Sequence, residues 1–98
     1  MDPIRDPEQN ETQQLAGIEA LAGARVIEIG SGNGRLTWRY APRAGSVVGI
    51  DTEADILREA RRASVAKKQV RFTAVQGSAE ALPFKAGSFD VVVFAWSL

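Results

Sequence analysis

Residues 26–34 read Val-Ile-Glu-Ile-Gly-Ser-Gly-Asn-Gly, and Asp51 follows the first of these glycines by 21 residues. Gly30, Gly32 and Gly34 let a backbone turn sharply and put no Cβ between it and a ligand. A helix starting just after them would aim its free N–H groups at a phosphate or a carboxylate. The spacing is G-x-G-x-G, one residue tighter at the third glycine than the G-x-G-x-x-G of dinucleotide sites. Glu28 stands two residues before Gly30. An acid there opposes a pyrophosphate and suits a ligand carrying an ammonium group. Asp51 falls at the tip of the next strand, where a carboxylate accepts both hydroxyls of a ribose. A glycine loop alone is as often a plain turn. Glu28, the three glycines and Asp51, all at strand ends, are a far more specific combination.

These residues need particular elements to position them. Arg25-Val-Ile-Glu-Ile29 is a β-branched run ending at a glycine and reads as the first strand. A helix is expected over 35–41, stopped by Pro42. Residues 46–51 read as the second strand. A helix over 52–66 follows, with Thr52 and Asp55 placed like a capping box and an inner stripe of Ile56, Leu57, Ala60, Ala63 and Ser64. Residues 70–75 alternate as a third strand. After a turn at 79–82, residues 89–95 form a fourth, with the apolar run Val91-Val-Val-Phe94 suited to burial on both faces. Before all of these, Asn10 caps an expected helix over 11–22, and residues 1–8 read as a flexible lead-in to one domain over 9–98. The alternation predicts an α/β fold with a Rossmann-like parallel sheet, strand order 3-2-1-4, and helices on both faces.

Composition narrows the chemistry. The chain has 98 residues, 45% of them apolar, with 12 Lys+Arg, 12 Asp+Glu and no His or Cys. That excludes a disulfide scaffold, a Cys/His metal site and any mechanism needing a His or Cys from this chain; no metal is expected. Zero net charge supplies no overall field for nucleic acid or anionic membrane. Residues 1–24 nevertheless carry −4 and residues 35–71 carry +5. The basic cluster from Arg58 to Arg71 reads as a solvated helix face. With no secretory signal pattern and no apolar run of membrane length, the expectation is a cytoplasmic protein with no membrane span.

Taken together, the motifs resemble the class I S-adenosylmethionine-dependent methyltransferases over residues 24–98. Glu28-Ile-Gly-Ser-Gly-Asn-Gly34 is similar to the first motif of that family and Val48-Gly-Ile-Asp51 to the second. Gly77-Ser-Ala-Glu-Ala-Leu-Pro-Phe84 is similar to the third, and Ser88-Phe-Asp-Val-Val-Val93 to the fourth. The third and fourth resemble the small-molecule branch that includes quinone- and sterol-type enzymes. The resemblance implies S-adenosylmethionine as cofactor and a small-molecule methyl acceptor. It implies that Gly30, Ser31, Gly32 and Gly34 hold the methionine part, with Glu28 orienting the loop and reaching toward the amino end. Asp51 would grip the ribose and Thr52 would lie beside the adenine. Ser78 and Ala79 would flank the adenine edge, Ser78 standing where the family commonly has Asp. Phe94 and Ala95 would pass near the sulfonium, and Trp96 is the candidate substrate contact. No catalytic residue is assigned.

The family's sheet has seven strands in the order 3-2-1-4-5-7-6, and this chain supplies the first four. The expectation is a cofactor-binding half, inactive alone, whose fourth strand is left at an open edge. Such an edge invites pairing with another chain, so the chain reads as a fragment, a truncated product, or one partner of a homodimer through that strand. Two alternatives stay open: a non-catalytic cofactor-binding module or degenerate fragment, and a piece of an NAD-dependent oxidoreductase, against which Glu28 and the glycine spacing argue. Arg35 reads as an ordinary helix-start residue or a contact to the cofactor carboxylate. Trp38 and Tyr40 read as packing residues, and Asp90 as structural.

Overall fold

The computed structural model describes residues 2–5, 21–69, 71–82 and 84–95. The strands are β1 (Asp2–Arg5), β2 (Arg25–Ile29), β3 (Ser46–Asp51), β4 (Phe72–Gln76) and β5 (Val91–Phe94). The helices are α1 (Thr37–Tyr40) and α2 (Ala54–Ala66). All strand pairs are parallel, in the order β1-β5-β2-β3-β4. Read in the order of the sequence motifs, β4-β3-β2-β5 is the expected 3-2-1-4 arrangement. The helix expected over 11–22 lies almost wholly outside the described residues, as does Val70; Leu21–Gly23 form a turn.

β2 and β5 are central strands, and the period of two sorts their side chains between two cores. Val26, Val91 and Val93 face Leu36 and Tyr40 from the loop–α1 segment. Ile27, Ile29 and Ile50 face the other way, with Val92, Phe94, Phe84 and Phe89 packed against them. α1 and α2 share the first face: Trp38 of α1 and Glu59 and Ala63 of α2 line one groove. On the second face the described cover is not a helix. It is the pair Phe84 and Phe89, whose rings meet edge to face at 5.0 Å. The expected turn at 79–82 is present as a single Ala81 N–H to Ser78 C=O bond.

Two expectations are corrected at the sheet edge. Asp2–Arg5 is a strand rather than part of a flexible lead-in, and it runs parallel to β5 with Ile4 opposite Val93. β5 therefore has strands on both sides, so the fourth strand is not left at an open edge. The physical reason is the cost of leaving a row of N–H and C=O groups beside an apolar strand. Pro3 lacks an N–H, which suits an outermost strand.

Both helices are shorter than expected at their starts. Arg35 gives its N–H to the Asn33 side chain at 3.1 Å, and the helix begins at Thr37 with Leu36 at its N-cap. The Thr52–Asp55 capping box does not form. α2 starts at Ala54 after Glu53, which makes no side-chain cap; the Glu53 N–H is taken by Asp51 Oδ1 at 3.1 Å. The buried side of α2 is Leu57, Ala60 and Ser64.

Candidate binding cleft at the glycine loop

The loop between β2 and α1 is held from β3. Gly30 and Ser31 both donate their N–H to the Ile50 carbonyl, at 2.8 and 3.1 Å. Gly32 donates to Asp51 Oδ2 at 3.0 Å. The acid of the second motif is thus joined to the glycines of the first. A carboxylate offers about four lone-pair positions. Gly32 and Glu53 use one on each oxygen, which leaves one on each for hydroxyl donors. Asp51 is half-buried, at the end of its strand.

Beside the loop is a cavity of about 330 Å³ lined by Gly30, Ser31, Gly32, Asn33, Arg35, Leu36, Ile56, Glu59 and Ala95. That is the lower end of the range for small-molecule sites. Loop, α2 and the residue after β5 converge here, at the carboxyl ends of the central strands. In open α/β sheets this is where ligands bind. Ser31 Oγ is buried and makes no hydrogen bond among the described residues, an unusual state for a buried hydroxyl. It lies over Gly49, where a Cβ would come within 2.7 Å of it.

The sequence candidates do not all meet at the cavity. Gly30, Ser31, Gly32 and Ala95 line the cavity, with Asp51 bonded to its wall. Thr52 and Ala79 are exposed and Ser78 is half-buried, and none of the three lines it. The Thr52 carbonyl accepts from Gln76 Nε2 at 3.0 Å, and Ser78 Oγ accepts the Glu80 N–H at 3.3 Å. Phe94 packs with Ile29 and Val92 on the opposite face of the sheet. Trp96 lies outside the described residues. Gly34 lacks a Cβ for an internal reason: with φ +94, a Cβ would come within 2.3 Å of the Trp38 indole. Trp38 in turn meets the Phe72 ring edge-on at 5.0 Å.

Glu28 is fully buried, beneath the loop rather than in the cavity wall. Its Oε1 accepts from Thr37 Oγ1 at 2.9 Å and from the Tyr40 hydroxyl. Burial, reinforced by the Glu28 charge, holds the Tyr40 phenol well above its ordinary pKa, so Tyr40 stays a proton donor. The free N–H groups expected of the following helix are mostly spent within the loop. Gly34 bonds to the Ser31 carbonyl and Trp38 to that of Gly34.

Sequence reasoning missed part of the lining. Ile56 and Glu59 stand three apart on α2, so they lie on one face, and that face meets the loop. Ile56 was assigned to the inner stripe; its Cγ2 is 3.7 Å from where a Gly32 Cβ would be. Arg35, one of whose two readings was a ligand contact, lines the cavity. Asp90 is structural, as expected. It forms a two-pronged pair with Arg25 at the opposite end of β2, at 2.9 and 3.1 Å. Arg25 and Asp90 also exchange backbone contacts: Arg25 N–H to Asp90 Oδ2 at 2.9 Å and Asp90 N–H to the Arg25 carbonyl at 2.8 Å.

Comparison with known proteins gives a consistent answer. The methyltransferase domain family matches residues 26–98. A demethylmenaquinone methyltransferase of Lactococcus lactis is 35% identical over 83 residues, covering 80% of this chain and 32% of that protein. The crystal structure of the YcgJ protein of Bacillus subtilis superposes with a TM-score of 0.77 at 26% identity, covering 87% of this chain and 38% of that one. A Haemonchus contortus phosphoethanolamine N-methyltransferase, solved with phosphoethanolamine and S-adenosylhomocysteine, shares the fold at 23% identity. Its TM-score is 0.72, and the match covers 92% of this chain and 20% of that one. The chain spans well under half the length of the curated relatives it matches, 32% of the Lactococcus lactis protein.

Proposed function

The chain belongs to the methyltransferase domain family, of the class I small-molecule type, and from that premise we propose that it is the S-adenosylmethionine-binding part of a methyltransferase acting on a small-molecule acceptor. The observation that carries the reading is the Gly32–Asp51 bond at the cavity wall. It joins the loop that would surround the amino-acid part to the acid that would hold the ribose.

The residues present fit such a ligand. Asp51 keeps an acceptor position on each oxygen for the ribose hydroxyls. Gly30, Ser31 and Gly32 would bound the methionine part, with the orphaned Ser31 hydroxyl in that wall. Arg35 would meet the carboxylate from the cavity mouth. Thr52, Ser78 and Ala79 would lie around the adenine, and Ala95 near the reacting end. Phe94 and Trp96 remain expectations of the resemblance. Glu28 would orient the loop from beneath.

When bound, the cofactor supplies a methyl group on a sulfonium, already activated toward a nucleophile. The protein's task is then to bind, align and exclude water. The chain's residues do the first of these. We assign no acid or base among the described residues, and we propose that the 98 residues bind cofactor without transferring methyl by themselves. Zero net charge supplies no overall field for nucleic acid, in keeping with a small-molecule acceptor. Among the described residues no helix is long and apolar enough to cross a membrane; action in the cytoplasm belongs to the proposal.

Isothermal calorimetry tests the reading. S-adenosylhomocysteine should bind with one-to-one stoichiometry, and NAD should not. Binding of NAD in its place would establish the oxidoreductase alternative and overturn the proposal. Methyl transfer by the chain alone would overturn its second half.

A further inference from the structure

α1 is one turn long and has no side-chain cap. A single turn does not hold itself, yet α1 forms the far stem of the loop that walls the cavity. Its hold comes from below. Thr37 and Tyr40 stand three residues apart, so they project from one face of the turn. Both donate to the same oxygen, Oε1 of Glu28. Thr37 and Glu28 are fully buried and Tyr40 is 1% exposed. Glu28 lies two residues before the loop and Thr37 three residues after it. The carboxylate therefore ties the two stems of the 30–34 loop across its base, as Ile50 and Asp51 tie its tip.

We propose that Thr37 and Tyr40 are positioning residues for cofactor binding. Through Glu28 they lock α1 to β2, and so fix the loop segment that places Arg35 and Leu36 in the cavity wall. Neither Thr37 nor Tyr40 lines the cavity, so their effect on a ligand is indirect. The proposal rests on the cofactor reading above for its consequence, and on hydrogen bonding alone for the clamp.

The experiment uses Tyr40→Phe and Thr37→Val, both close in shape to the native residue. Two measurements are made: amide hydrogen exchange, and calorimetric titration with S-adenosylhomocysteine. Tyr40→Phe should speed exchange at Gly32 and Gly34 by about tenfold or more, the worth of one hydrogen bond to a charged acceptor. The amides of Val48 and Ala74, in β3 and β4, should stay as they were. Glu28→Gln keeps a carbonyl oxygen for both hydroxyls and should retain the loop protection that Glu28→Leu loses. The titration should show Tyr40→Phe and Thr37→Val each weakening binding by about tenfold. Unchanged exchange at the loop, or an equal rise at all amides, would overturn the clamp. Loosened loop amides with full binding would overturn its role in positioning. Absence of binding by the unaltered chain would instead sink the cofactor reading, and the exchange data would still decide the clamp.

Discussion

Gly32 donates its backbone N–H to Asp51 Oδ2 at 3.0 Å, which makes one carboxylate both a loop anchor and a ligand acceptor. Removing it acts on both at once. Asp51→Ala should weaken S-adenosylhomocysteine binding by about a hundredfold, two charge-assisted hydrogen bonds at roughly 1.4 kcal/mol each. Asp51→Asn should fall between, since it keeps one acceptor oxygen but turns an amide toward either Gly32 or Glu53. Calorimetric dissociation constants of the three proteins check the order.

Gly34 should not tolerate a methyl group. Its φ is +94 and a Cβ would come within 2.3 Å of the Trp38 ring. Gly34→Ala should lower unfolding free energy by about 2 kcal/mol or more, from left-handed strain plus overpacking. Trp38→Ala in the same chain removes the clash but not the strain. Urea unfolding of both single variants and the double should show the double costing less than the two singles together.

The Arg25–Asp90 pair predicts how stability falls in acid. Hydrogen bonds from the Arg25 side chain and backbone lower the Asp90 pKa from 3.8 to about 2. A carboxylate with a depressed folded pKa stabilises above its unfolded pKa. That contribution is lost as pH falls from the unfolded value through the folded one. The unfolding midpoint should therefore drop between about pH 4 and pH 2, and Asp90→Asn should flatten that part of the curve. Both side chains are near half exposed, so high salt should shrink the difference.

The pairing of β1 with β5 predicts the effect of shortening the chain. Without residues 1–5, the outer edge of the Val91–Phe94 strand loses its neighbour. The shortened protein should self-associate as concentration rises, while the full chain does so less. Light scattering over a dilution series distinguishes the two.

Legibility in the sequence followed how local each feature is. β2 and β3 were readable residue for residue, because β-branched runs ending in Gly30 and Asp51 carry their own boundaries. The cavity-forming part of the loop was readable too, since glycine spacing is a local property. β1 was not. Asp2-Pro-Ile-Arg5 has no strand pattern, and a β5 edge in need of a neighbour defines it. Glu28 was read toward the ligand because it precedes the glycines. The alternation of β2 instead puts it on the side of Val26, under α1, and Thr37 and Tyr40 at a spacing of three were the overlooked sign of its partners. Thr52 has the residue type and spacing of a cap, but the helix starts two residues later with Glu53 at its N-cap, and the Asp55 carboxylate pairs with Arg58 instead of reaching back.

Asp90 and Arg25 are 65 residues apart in the chain, and β5 reaches its place beside β2 only after β3, α2 and β4 have been laid down between them. Closing that 65-residue stretch costs more chain entropy than the 19-residue closure between Gly32 and Asp51, so it is expected to form later in folding. The glycine loop and its tie to β3 need only the first half of that stretch. The expected order of assembly is therefore loop first and the Ala95 wall last. Weakening the Arg25–Asp90 contact should therefore quicken unfolding and leave the folding rate nearly untouched.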